Sequence, residues 1–541
     1  KKGWLMTEMT GGQALMKSLY REGIRVIFGL PGVQLYHAMD ALYDEPGIRF
    51  ITTRHEQATA YMADGFSRAG GGIGTALMVP GPGLLNAAAA IGTAYSASSP
   101  ILVLSGQIER DLIGVNRGML HEVDDQIDCI KPITKWTKRI LDPAEVPEAV
   151  HEAFFNLKTG RPRPVEIEIP PETLAEVGNV ELLEPEEYPR PVGSAQQLQQ
   201  AAQVLSQATA PLIWAGGGVI SSGASDALLR VAEHLQAPVI TTAEGKGAIS
   251  DHHHLALGAL RLRNDPLGES QYGHDVILAV GTRLATPHFL AGQQVIQIDI
   301  DPEELGRNYE NTMGIQGDAR DSLEGLYNAL SAAAPARPEN REGINKLKET
   351  RAESAIRVEP QDSLIASVRA AMPEDGILIS GMTQLGYYSR AYFPVYEPRS
   401  FLTSSYFGNL GYAYPTALGA KVAQPDKAVV ALSGDGGFLF NSQELATAVQ
   451  HGINAVVVVF NDNAYGNVLR DQENRFSGRT IGAELHNPDF VKLAEAYGAR
   501  GVRANGPEEL ESSIKEALAI EAPTLIEVPV GKMPSPFERI R

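Results

Sequence analysis

Continuous apolar runs, too short for helices, alternate along this chain with longer segments of helical period. In the first third, Val26–Phe28, Arg49–Thr53, Gly74–Val79, Ile101–Ser105 and Pro164–Ile169 read as strands. Between them Gly12–Glu22, Val33–Tyr43, the stretch from Arg54 through Arg68, and Leu84–Ser96 read as helices. Gly74–Val79 and Ile101–Ser105, which lack polar alternation, suit strands buried on both faces, and parallel neighbours need helical crossovers between them. The alternation returns with Leu212–Ala215, Val239–Thr241, Val276–Val280 and Val295–Ile300, then with Ile377–Ser380, Ala428–Leu432 and Val456–Phe460. Glu181–Pro191, with three prolines and four glutamates, and the Ala- and Pro-rich Ala332–Asn340 have linker composition. The pattern predicts an α/β protein of three doubly wound parallel-sheet domains, over residues 6–180, 192–332 and 360–541. The first and third look like variants of one plan, each with an early glycine turn and a ligand-bearing strand end.

One stretch concentrates chemistry at strand ends. The run Ala428–Leu432 leads into Ser433-Gly434-Asp435-Gly436-Gly437, a helical pattern covers Phe438–His451, and Val456–Phe460 ends in Asn461-Asp462-Asn463-Ala464-Tyr465-Gly466. In such a βαβ unit the ligand site lies at the carboxyl ends of the strands. Gly434, Gly436 and Gly437 let a phosphate approach the backbone, and the following helix start offers bare N–H groups. A carboxylate in that turn would repel phosphate unless a hard cation lies between, and Mg²⁺ takes oxygen ligands together with phosphate oxygens. Asp435 and Asp462 can supply two side-chain oxygens and the Ala464 carbonyl a third. The competing reading is two unrelated Gly/Asn/Asp turns, but both turns close strands of one unit. Two other features carry less. Gly216-Gly217-Gly218 follows a strand, yet Ser221 breaks the dinucleotide fingerprint. His252-His253-His254 reads as a polar turn, since consecutive histidines rarely converge on one ion.

Composition narrows the partners. At 541 residues the chain exceeds a single core, and 43% hydrophobic with 21% charged residues is ordinary for a globular protein. The net charge of −19 argues against nucleic acid and anionic membrane. No apolar run approaches a membrane span and no signal-peptide pattern precedes the fold. The single cysteine, Cys129, cannot form an internal disulfide and reads as a buried structural thiol. A cytoplasmic location is expected.

Gly434-Asp435-Gly436, the 24 residues 437–460, and Asn461-Asp462 together resemble the thiamine-diphosphate signature, whose second Asn is Asp462 here. Arg54-His55-Glu56-Gln57 matches that family's RHEQ segment residue by residue, and Pro80-Gly81-Pro82-Gly83 with Asn86 resembles its GPG-x-x-N. Phe407-Gly408-Asn409-Leu410-Gly411 resembles the segment whose large apolar residue lies beneath the cofactor. Within the family, the chain looks like the acetolactate synthase catalytic subunits and their decarboxylase and carboligase relatives. The resemblance implies pyrimidine-binding, middle and diphosphate-binding domains, with thiamine diphosphate and Mg²⁺ as cofactors. Glu56 would be the catalytic residue, hydrogen-bonded to the pyrimidine N1′ so that the cofactor's own amino group can deprotonate its C2. Cofactor contacts are implied at Pro31, in the turn Gly29-Leu30-Pro31-Gly32, and at Met382, Thr383, Gly408 and Leu410. Further contacts are implied at Gly434, Asp435, Gly436, Gly437, Asp462, Tyr465, Gly466 and Asn467, with the metal on Asp435, Asp462 and Ala464. Glu56 and Asp435 would meet across the interface of a homodimer or dimer of dimers.

The implied reaction is decarboxylation of a 2-oxo acid followed by transfer to a carbonyl acceptor, with acetolactate formation the leading case. A simple 2-oxoacid decarboxylase, a 2-hydroxyacyl lyase, and a catalytically inactive nucleotide-binding relative stay open, although the last has no chemical need for Glu56. Several positions depart from acetolactate synthase. Its Phe-Gln-Glu reads Leu120-His121-Glu122, and its Gly-Met-Val with a nearby Trp reads Gly466-Asn467-Val468-Leu469-Arg470 with no such Trp. His121 or Arg470 could bind a substrate carboxylate. The Met-His-Gly that helps hold FAD reads Leu262-Arg263-Asn264, and Arg-Phe-Asp-Asp-Arg reads Arg283-Leu284-Ala285-Thr286-Pro287. The chain is therefore expected to need no FAD, while Arg261, Arg263 and Arg283 would still allow an ADP-like ligand in the middle domain.

Overall fold

Val429–Gly434 and Val456–Asn461 bury every position except the last, so these strands need cover on both faces, and helices provide it. A computed structural model describes residues 6–260, 273–285, 293–355 and 357–535. Three six-stranded parallel sheets result, the α/β architecture of three domains that the apolar pattern predicts. The first sheet runs Arg49–Thr52, Val26–Gly29, Gly74–Met78, Ile101–Gly106, Val165–Ile169, Trp136–Arg139. The third runs Phe401–Thr403, Ile377–Ser380, Val429–Gly434, Val456–Asn461, Thr524–Pro529, Arg500–Arg503. Numbered within each domain, both orders are 2-1-3-4-6-5. The middle sheet has the order 3-2-1-4-5-6. Ligands in open parallel sheets bind where the strand order reverses. In the first and third domains that point falls beside Pro31 and Gly434 respectively.

Several local expectations are corrected. The pattern Phe438–His451 is two helices, Asp435–Leu439 and Glu444–His451. Between them the Asn441 amide turns away to donate to Gln57 Oε1 (3.0 Å) and to the Gly411 carbonyl (2.8 Å). Val33–Tyr43 is a short 3₁₀ turn, Val33–Leu35, followed by the helix Tyr36–Tyr43. Cys129 is exposed rather than buried, because Gln126 and Ile130 take the inward face of the short helix Gln126–Ile130.

One hydrophobic core runs without interruption from the first domain (Phe28, Met62, Ile91) into the third (Tyr412, Leu418, Phe438), while the middle domain has its own. The seam is the crossing of helix Glu56–Phe66 with helix Ala413–Ala423. A Cβ at Gly65 would overlap the Thr416 carbonyl, and one at Gly419 the Met62 carbonyl, so the two backbones touch directly. Tyr61 and Tyr412 stack edge-to-face beside the crossing, at 5.6 Å between centroids. Arg68 ties all three domains, donating to the Thr403 carbonyl (2.6 Å) and to Glu244 of the middle domain (2.7 Å). Among the described residues no helix is long and apolar enough to cross a membrane.

The crossing generates a prediction. Gly65→Ala inserts a methyl group against backbone that cannot give way, which costs about 1–3 kcal/mol. The thermal midpoint should fall by several degrees in scanning calorimetry; a midpoint equal to that of the parent would contradict backbone contact at Gly65.

Candidate active site

The third-domain half of the site is built from four strand-end turns. Val429–Gly434 passes straight into the helix Asp435–Leu439, so Gly436 and Gly437 lie in its first turn. Neighbouring strand Ile377–Ser380 ends in Gly381-Met382-Thr383, and a Cβ on Gly434 would lie 3.4 Å from Thr383 Oγ1. Gly408, at φ 67°, needs glycine's freedom, and a Cβ there would meet Met382 Cε at 3.4 Å. Leu410 Cδ2 would lie 3.6 Å from a Cβ on Gly437, and Tyr465 Cε1 2.6 Å from one on Gly436. Asp462 packs its carboxylate so closely on Gly466 that any side chain there would overlap it. The structure thus gathers Met382, Thr383, Gly408, Leu410, Gly434 to Gly437, Asp462, Tyr465 and Gly466 into one cluster. Asn467 adjoins it and bonds to the Gln384 side chain, 3.1 Å away.

Electrostatics there call for a cation. Asp435 is 2% exposed. Asp462 is pushed up to about 7, first by burial and then by the Asp435 charge beside it. Asn487, contributed by a distant loop, donates to Asp435 Oδ2 (2.6 Å) and to Asn461 Oδ1 (2.9 Å). Nothing in the sequence pattern marks Asn487, because a loop residue far along the chain meets the turn only through the fold. The Ala464 N–H bonds to Asp462 Oδ1 (3.3 Å), which curls the loop around the carboxylate. No group of three or more His, Cys, Asp or Glu converges among the described residues. Two carboxylates with one carbonyl instead fit Mg²⁺, which completes its shell with phosphate oxygens and water.

The first-domain half centres on Glu56, which opens the helix Glu56–Phe66 and is 8% exposed. Asn86 donates to Glu56 Oε2 (3.1 Å), so the GPG-x-x-N segment supplies a direct partner for the carboxyl group. Glu56 Oε1 would be 3.4 Å from a Cβ on Gly83, and Val79 separates Gly83 from Gly32, next to Pro31. Gly81, at φ 56°, packs against the His121 carbonyl. His121 has a positive φ of 73° and bonds through Nδ1 to Gln34 Oε1 (3.0 Å), while Gln34 Nε2 donates to the Leu120 carbonyl (3.1 Å). Gln34 Oε1 can only accept, so Nδ1 donates. The bonds of Glu56 stay within the first domain and those of Asp435 within the third.

Arg470 is buried and donates to Asn467, four residues past the Tyr465-Gly466 turn. The three histidines at 252–254 go to three different carboxylates, Glu374, Glu233 and Glu339, which fits a polar turn. A cleft of about 590 Å³ opens where the middle domain meets the other two. Its walls include Gly218, Asp299 and Arg283 from the middle domain, Arg161 from the first, and Tyr387 and Arg390 from the third. Arg161 is already engaged by Glu304 (2.7 Å) and Asp301 (3.4 Å), and the Arg283 guanidinium lies 4.1 Å over the Tyr406 ring. Burial raises Asp299 to about 6. Arg261 to Asn264, Thr286 and Pro287 lie outside the described residues.

Comparison with known proteins agrees with this geometry domain by domain. Residues 9–129, 198–326 and 381–528 match the N-terminal TPP-binding, central and C-terminal TPP-binding domains of thiamine pyrophosphate enzymes. A probable acetolactate synthase large subunit of Methanocaldococcus jannaschii is 36% identical over 96% of this chain and 92% of its own. Acetolactate synthase isozyme 3 large subunit of Escherichia coli is 33% identical over 95% and 93%. A probable 2-ketoarginine decarboxylase, AruI, of Pseudomonas aeruginosa is 36% identical over 96% and 94%. Both halves of the site lie inside the matched segments, and relatives align along nearly their whole length, so the chain belongs to the thiamine pyrophosphate enzyme family.

Proposed function

We propose that this protein is a thiamine-diphosphate- and Mg²⁺-dependent enzyme that decarboxylates a 2-oxo acid and joins the product to a carbonyl acceptor, acetolactate being the leading product. The observation that carries this reading is the buried Asp435 beside the half-buried Asp462 at adjacent strand ends, together with a Glu56 oriented by Asn86. When bound, thiamine diphosphate supplies the nucleophilic thiazolium carbon. Asp435, Asp462 and the Ala464 carbonyl would hold Mg²⁺, and Thr383 and the Gly434 turn would receive the diphosphate. Leu410 would pack against the cofactor's rings. Glu56 would hold a proton for the pyrimidine nitrogen, with its carboxyl group kept in place by Asn86. We read the complete site as formed by two copies of the chain, in a homodimer or dimer of dimers, as the likeness of the Glu56 and Asp435 segments to the family suggests.

The 2-ketoarginine decarboxylase relative, as similar as the acetolactate synthases, supports a second reading as a simple 2-oxoacid decarboxylase. The buried Arg470, bonded to Asn467 beside the Tyr465-Gly466 turn, supports substrates of the first kind, because its charge favours an anionic group over a guanidinium. We therefore favour a small 2-oxo acid without a cationic tail. In the middle-domain cleft, Arg283 and the strand-order switch suit a phosphate-bearing nucleotide such as ADP. FAD lacks the charged and histidine side chains expected in segments 262–264 and 285–287.

Two tests follow. Asp435→Ala should abolish thiamine-diphosphate binding in titration calorimetry. Glu56→Gln should keep cofactor affinity within about tenfold, roughly 1.4 kcal/mol, yet severely slow hydrogen–deuterium exchange at C2 and the release of CO₂ and ketol from pyruvate. Cofactor binding by the first variant as tight as the parent's, or exchange in the second as fast, would refute the assignment. Purified protein should also be colourless and reach full activity without flavin; a stoichiometric, heat-released yellow chromophore absorbing as FAD would overturn the second claim.

A further inference from the structure

The strand Arg49–Thr52, which leads into the Glu56 turn, is the outer strand of the first sheet. Its free edge is covered by a helix of the third domain, Glu444–His451. Glu444 and His451 open and close that helix two turns apart, so their side chains share one face. Alternate residues of the strand, Thr52 and its continuation Arg54, point their N–H groups the same way. The Thr52 N–H donates to His451 Nε2 (3.0 Å). That of Arg54 donates to both oxygens of Glu444, at 3.1 and 3.2 Å. Glu444 is fully buried and is steadied by Thr447 Oγ1 at 2.6 Å. Two more bonds flank the pair: Arg54 to Gln450 (3.0 Å), and Arg49 to the His451 carbonyl (3.0 Å). Two residues after Arg54 the chain reaches Glu56, and Gln57 is held from the third domain by Asn441.

We infer that Glu444 is a positioning residue for Glu56, fixing the turn that carries the N1′ carboxyl by gripping the Arg54 N–H from the third domain. The inference rests on the reading of Glu56 given above. A buried carboxylate is an expensive way to satisfy one N–H, since a neutral side chain would do so without a charge. The charge strengthens the grip, and a small displacement of a catalytic group is costly to rate. Burial pushes Glu444 up to about 7, against the pull of Thr447 and of the Arg54 and His55 N–H groups. The titratable and charged groups facing it do not compete for that role. His451 is lowered by burial and stays neutral as the Thr52 acceptor, and Tyr414 is raised by burial and stays protonated. Arg54 and Arg49 turn their guanidinium groups to Gln450 and the His451 carbonyl instead.

The sign of the pH effect is therefore fixed. A carboxyl group raised on folding contributes stability that is full below its ordinary range and lost as pH rises through about 7. The grip on Arg54 runs the opposite way, because only the ionised form offers two charged acceptors. Glu444→Gln keeps the shape and removes the charge. In the full-length enzyme loaded with thiamine diphosphate and Mg²⁺, we expect C2 exchange at pH 8 to slow by about 10²-fold, with little change in cofactor Kd. The wild-type fall in exchange between pH 8 and 6 should disappear in the variant, while its thermal midpoint at pH 8 equals or exceeds that of the parent. A purely structural Glu444 would lower the midpoint and leave the pH profile of exchange intact. Thr447→Val, which removes only the supporting hydroxyl, should raise the midpoint of the pH profile without abolishing it. Wild-type exchange with an unchanged rate and profile in Glu444→Gln would overturn the positioning role alone. Absence of cofactor-dependent exchange in the wild type would remove the reading of Glu56 along with it.

Discussion

Asp435, buried, and Asp462, half-buried, bring two carboxylates together at adjacent strand ends, and a proton on Asp462 or a nearby positive charge must offset their repulsion. Burial and mutual repulsion already force Asp462 to about 7. The divalent cation proposed there would offset both penalties, and the oxygens of a diphosphate would complete its shell. The surroundings follow from this need. Glycine at 434, 436 and 437 keeps side chains out of the space, Asn487 satisfies the outer oxygen of Asp435, and the strand-order reversal opens the crevice.

On the reading proposed above, the second group, Glu56, lies in another domain, and the Glu56 and Asp435 of one chain serve two different sites. The continuous core, the Gly65–Gly419 crossing and the three-domain tie at Arg68 therefore couple those sites through the chain rather than setting the geometry of either one. The edge of the first sheet adds a more local link, because the helix that follows the metal turn also holds the strand that leads to Glu56. A shift at the metal turn can thus be felt at the Glu56 turn of the same chain.

Strand ends were the most legible part of the sequence. Uninterrupted apolar runs leave no alternative to burial on both faces, and the turns that close them carry the only residues free to meet a ligand. Polar or small-residue strands were missed for the same reason: Arg500–Arg503 and Ala256–Ala259 lack such runs and form by pairing with stronger neighbours. The break at Asn441 was hidden by good helix formers on its C-terminal side, and a tertiary bond to Gln57 overrides their propensity. Asn487 and Glu444 act through bonds to backbone or side chains distant in the chain, which no local pattern announces. The part played by Asn86 was partly visible, as a member of a glycine-rich segment whose contact with Glu56 only the fold reveals.

The account's central claim is that one working site takes Glu56 from one copy of the chain and the Asp435 turn from another. Mixing inactive Glu56→Gln protein with inactive Asp435→Ala protein, dissociating the two and letting them reassemble tests it directly. Random pairing leaves one intact site in each mixed dimer, so about a quarter of the wild-type activity should return. Activity no greater than the sum of the two parents, with mixed dimers demonstrably formed, would contradict the claim and place both halves of the site within a single chain.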